Sequence, residues 1–96
     1  MSTKEILIYR TKDNTSDYKF EFVTTGAGTE RAYILWQPSY FDRSADGHST
    51  HRYWDEDRQQ HYICFEPEPS SRAEVKRVAR QWAEHTNAYR RHGTRF

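Results

Sequence analysis

The last quarter of the chain constrains the fold more than any other stretch. Ser71 stands three residues before Glu74, the capping-box spacing in which side chains satisfy backbone donors at a helix start. From there to His92, the residues Val75, Val78, Ala79, Trp82, Thr86 and Tyr89 fall within a stripe about 100° wide at helical spacing. Gly93 is the natural stop. The pattern predicts a helix over 72–92, roughly 30 Å long at about 1.5 Å per residue. Such a stripe must lie on an apolar surface, and only the preceding residues can supply it.

Those residues read as short strands. Ile6, Leu7, Ile8 and Tyr9 are β-branched and aromatic types that suit a strand over 5–10. Tyr18, Phe20 and Phe22 alternate with Lys19 and Glu21, the period of a strand over 18–24 with one buried and one wet face. Gly26 and Gly28 supply a hairpin turn. The chain returns over 31–36 with Ala32, Ile34 and Trp36 on one side and Tyr33 and Leu35 on the other. Apolar on both sides, this strand is expected at the centre of a sheet. Strands over 52–54 and 61–65 form a second hairpin around the polar turn from Asp55 to Gln60, and Pro67 and Pro69 make a stiff connector to the helix.

The expected architecture is therefore α+β, a single domain over 1–96. It is an antiparallel, meander-like sheet of four to five strands with one long C-terminal helix packed on one face. No second helix is at hand for the other face, which is expected to be wet and to draw aromatics from Tyr9, Tyr33, Tyr53, Trp54 and Tyr62. Hydrophobic residues make up only 34% of the chain and mean hydropathy is −1.17. Aromatics at 16% must then supply much of the buried area.

Charge is unevenly spread. From Met1 to Pro69 there are 8 basic and 12 acidic residues, and from Ser70 to Phe96 there are 7 basic and 2 acidic. The basic excess gathers on the outer side of the helix at Lys76, Arg77, Arg80 and Arg91. Guanidinium groups in such a row could contact phosphates. They equally keep a helix soluble and favour its C-terminal dipole.

Cys64 is the single cysteine, so no intrachain disulfide forms. Placed between Tyr62-Ile63 and Phe65 in an expected strand, it reads as a small buried hydrophobe rather than a nucleophile. The apolar run Ile6-Leu7-Ile8 is too short for a signal-peptide core or a membrane span, so a soluble cytoplasmic protein with no membrane partner is expected. His48, His51 and His61 are metal-ligand types, but a loop without cysteine ligands has little to fix them, and no metal or cofactor is expected. Asp55-Glu56-Asp57 suits a solvated hairpin tip.

No cofactor loop or credible metal cage occurs, which leaves a non-enzymatic interaction protein, regulatory or inhibitory, with a protein partner. Its contact candidates are Tyr53 and Trp54 on the second hairpin and Tyr40 and Phe41 in the long Gln37-to-Thr50 loop, since Tyr, Trp and Arg dominate binding hot spots. A nucleic-acid-binding module using the basic helix face is the first alternative. A small homodimer paired through sheet aromatics is the second. In size and motif-poor architecture the chain is comparable to the small proteins with which phages and mobile elements block host defence, anti-CRISPR proteins among them. That comparison is an analogy and rests on no residue motif.

Overall fold

A computed structural model describes residues 5–96. Strands β1 (Glu5–Arg10), β2 (Asp17–Thr24) and β3 (Glu30–Trp36) run as an antiparallel meander. A single-turn helix α1 (Gly47–Thr50) leads into β4 (Arg52–Asp55) and β5 (Gln60–Ile63), and α2 (Arg72–His92) closes the order. The strand order in space is β1-β2-β3-β5-β4, so the second hairpin docks through its later strand. The side chains explain the choice. In β5, Ile63 is buried towards α2 while Tyr62 stacks edge-on between Tyr33 and Tyr53 on the other face, an inner-strand pattern. In β4, Tyr53 and Trp54 are both exposed, which suits an edge.

The helix forms as its ends dictate. Ser71 Oγ accepts from the Glu74 backbone N–H at 3.1 Å. The Glu74 carboxylate accepts from Ser70 N rather than from the cap residue itself. Gly93 ends the helix in the left-handed region, φ 73°, and its N–H bonds the Tyr89 carbonyl. All six stripe residues are buried, and Ala83 and Asn87 join them. Val75, Val78, Ala79, Trp82 and Ala83 pack on Tyr18, Phe20, Phe22, Ala32, Ile34 and Ile63 to form the core.

Trp82, 4% exposed, is the centre of that layer. Its indole meets the rings of Tyr18 and Phe20 edge-on, at centroid distances of 5.9 and 6.0 Å. Its Nε1–H donates to the Thr50 carbonyl at 3.0 Å. The helix also grips the β1–β2 hairpin. Asn87 accepts from the Ser16 hydroxyl and donates to Asp13 and Thr15, and Glu84 accepts from Tyr9 Oη. That last bond pushes the Tyr9 phenol up to about 12.

Three expectations need correction. Trp36 does not share the inner side of β3 with Ala32 and Ile34, and it is 55% exposed. Phe20 pairs with Ile34 but Lys19 pairs with Trp36, so Leu35 is an extra, bulged residue and the alternation reverses after it. Tyr9 and Trp54 are not on the open face: Tyr9 reaches Glu84 on α2, and Trp54 pairs with His61 on the face that carries Ile63. Cys64 lies just past the end of β5 and is half-buried rather than fully enclosed.

Trp82→Ala should remove the shared contact of helix, sheet and loop. A loss of about 3–5 kcal/mol in urea-unfolding free energy is expected. Trp54→Ala on the exposed edge should lose under about 1 kcal/mol. Equal losses would show that the core is not centred on Trp82.

Candidate functional site

The open face of the sheet is roofed at its centre, while on its β1 side Ile6, Ile8 and Trp36 are exposed. Tyr53, Tyr62 and Tyr33 form a row across β4, β5 and β3. Arg31 lies over the Tyr62 ring at 4.2 Å and Arg58 over the Tyr33 ring at 3.9 Å. Each guanidinium is then held by a carboxylate, Arg31 by Glu68 at 2.8 Å and Arg58 by Glu21. Tyr33 Oη donates to Asp55 at 2.6 Å, which holds the Asp55 carboxyl below its ordinary value. The ring faces of Tyr33 and Tyr62 are thus occupied by the protein's own cations and are not presented for stacking on bases.

The basic side of α2 is also partly spent. Lys76 is paired with Glu5, Arg72 with Glu30 at 2.6 Å, and Arg77 approaches Glu74 at 3.9 Å. Among the described residues, Arg80 and Arg91 are exposed and carry no ion pair. Two isolated charges make a poor phosphate track.

The long loop between β3 and β4 is organised differently. Four points on it are tied to α2. Arg90 Nε donates to the Ser39 carbonyl at 2.7 Å, Arg43 Nε donates to the Arg90 carbonyl at 3.1 Å, Tyr89 Oη donates to the Ser44 carbonyl at 2.7 Å, and Trp82 holds Thr50. Arg52 closes the loop by donating to Gln37 Oε1 at 3.0 Å. Tyr40, expected as a contact residue, is only 7% exposed and stands edge-on to Tyr89, so it anchors the loop from beneath. The next residue does the opposite. Phe41 is 76% exposed, at φ 56°, a left-handed conformation unfavourable for a bulky side chain. Ser39 Oγ accepts its N–H at 2.9 Å, and the Arg90 guanidinium lies 5.4 Å from its ring centroid.

Beside Phe41 is an open hollow of about 340 Å³, lined by Gln37, Tyr40, Phe41, Arg43 and Arg52 among others. A larger, mostly apolar groove of about 430 Å³ runs between α2 and the end of β5, past Ile63, Val78 and Trp82. The chain's own Phe96 borders it, stacked on His85 at 5.3 Å and tilted against His51 at 4.5 Å, with His51 Nε2 bonded to the Phe96 oxygen. His51 on its rim is thereby engaged within the chain.

The expected contact residues therefore divide. Phe41 is presented, Tyr40 supports it, and Tyr53 and Trp54 point to opposite faces of β4 and share no surface. Arg43, Arg52 and Arg90 were not singled out from the sequence, because nothing in their spacing marks them. Their long-range contacts alone gather them around Phe41. Among the described residues no three His, Cys, Asp or Glu side chains are grouped to hold a metal ion. No helix among them is long and apolar enough to cross a membrane.

Several carboxyls are held below their ordinary values: Glu5 by the Lys76 bond, Asp13 by Thr15 and Thr11 hydroxyls, Asp55 by Tyr33, and Glu68 by Arg31. In the unfolded chain they regain protons near pH about 4. Their contribution to stability is full above that value and is lost as pH falls through the lower folded values. The melting temperature should drop steadily below pH about 4, and Asp13→Asn together with Asp55→Asn should flatten that drop. An acid limb unchanged by the double variant would remove these two carboxyls from the account.

Comparison with protein-family models, with curated proteins and with solved structures finds no match to this chain.

Proposed function

We propose that this protein is a small non-enzymatic interaction module that engages a protein partner through the loop between β3 and β4, with Phe41 as the anchor. The observation that carries this reading is Phe41 itself. A loop tied to α2 at four points holds a 76%-exposed phenyl ring in a left-handed backbone conformation. Strain and apolar exposure both cost stability, and a preformed binding surface is where such costs are offset, because the partner meets an ordered contact. A regulatory or inhibitory role fits a surface of this kind, since occupying a partner's surface needs no chemistry of its own.

Nucleic acid is the weaker alternative, for two reasons on the molecule. Tyr62 and Tyr33 are covered by Arg31 and Arg58, and Lys76 is engaged with Glu5. Pairing of two copies through the open sheet face meets the same roof at Tyr33 and Tyr62, which leaves it the exposed Ile6, Ile8 and Trp36 on the β1 side of that face.

The test is capture of partners from extract of the source cell on immobilised protein, with and without nuclease. Retention should survive nuclease and survive Glu substitution of Lys76, Arg77, Arg80 and Arg91 together. Phe41→Ala should weaken it about tenfold or more, the scale of a hot-spot truncation. Loss on nuclease treatment or on charge reversal, with Phe41→Ala unaffected, would hand the function to the basic helix.

A further inference from the structure

Among the half-buried cations of the described residues, Arg52 stands apart. Arg31, Arg58, Arg72 and Lys76 each have a carboxylate partner, and Arg43 and Arg90 donate to backbone carbonyls. Arg52 has neither. Its hydrogen bond goes to the neutral amide oxygen of Gln37, its guanidinium carbon lies 4.9 Å from the Tyr40 ring centroid, and its Nε is buried with no acceptor. Burial pulls the guanidinium below its ordinary value, and after burial its charge is the second influence lowering His61. A guanidinium drawn out of water without a counter-charge is costly, and stacking on one tyrosine offsets part of that cost only.

The surroundings give the missing group a sign. Arg43 shares the hollow with Arg52, and Arg90 lies against Phe41 at its rim. The loop's two acids do not neutralise them. Asp46 is held by the Ser44 hydroxyl at 2.5 Å, and Asp42 borders a neighbouring hollow with Arg43 and Arg95 without an ion pair to either. Arg43 turns its guanidinium to the Arg90 carbonyl and Gly93, so Arg52 supplies the unanswered positive charge of a cavity of about 340 Å³ with an exposed phenyl ring at its edge.

We propose that this hollow receives the carboxylate of an Asp or Glu side chain from the partner protein, bound by Arg52, while an adjacent apolar group of the partner packs on Phe41. The inference rests on the reading of the Phe41 loop as the partner surface and adds the chemistry that the loop recognises. A planar guanidinium matches a carboxylate in two-point geometry, and such charge-assisted pairs are about twice as strong as neutral ones.

The experiment uses 3-phenylpropionate, a carboxylate on a short apolar stem, titrated into the whole protein while the Arg52 Nε–H and Phe41 ring resonances are followed. Saturating shifts of both are expected, with a Kd on the order of millimolar for so small a probe. The uncharged 3-phenylpropionamide should shift neither, and Arg52→Gln should weaken the carboxylate about tenfold or more with its melting temperature checked alongside. Arg52→Lys, keeping charge but not the planar fork, should fall between. Equal response to acid and amide in the unmodified protein overturns the inference without any variant. So does tighter binding of phenyl phosphate, which would assign the hollow to a phosphorylated partner. A flat titration with Phe41-dependent capture sinks this inference alone, whereas a saturating one with capture indifferent to Phe41→Ala keeps the carboxylate site and sinks the broader reading.

Discussion

The packing of Trp82 against the β2 aromatics is the contact on which the rest of the structure depends. One face of the indole layer is the core, where it stands edge-on to Tyr18 and Phe20. Its polar edge is turned to the Thr50 carbonyl, the last residue of α1. A single side chain therefore fixes where the helix lies on the sheet and where the long loop returns to it. Indole suits this double duty because it joins a large apolar surface to one directional donor.

From that anchor the helix acts on the loop through its final turns. Tyr89 and Arg90 reach Ser44 and Ser39, and Tyr40 is tucked against Tyr89. The loop is thus held as part of the fold although it lacks strand pairing. Tyr40 is buried against Tyr89, and the left-handed turn at Phe41 carries the next ring out to solvent. The basic character of the C-terminal quarter then takes on a divided meaning. Lys76 and Arg72 bind the acids of the sheet, while Arg90 organises the loop. Through Arg72 and Lys76, which meet Glu5 and Glu30, part of the opposite charge of the two halves joins helix to sheet.

Much of this was legible in the residues. Ser71, Glu74 and Gly93 marked the helix ends, the stripe from Val75 to Tyr89 marked its buried side, and the alternation of Tyr18, Phe20 and Phe22 marked the inner face of β2. Apolar residues on both sides of β3 placed it at the centre, third of five strands. Local rules worked there because capping, periodicity and alternation are set by neighbours a few residues away. They failed at Trp36, where a bulge at Leu35 turned the side chain outward, and at Tyr40, whose burial depends on a ring 49 positions along the chain.

Which segments are strands, where the long helix begins and ends, and which of its sides is apolar are written in local residue patterns. Those properties follow from the chirality and periodicity of the backbone. That β5 lies inside β4, that Arg31 and Arg58 cover Tyr62 and Tyr33, and that Phe41 is presented beside a guanidinium without a counter-charge emerges from packing alone. Each of these depends on contacts between residues far apart in the chain, and the balance of burial, charge and strain at such contacts exists only once the layers have met.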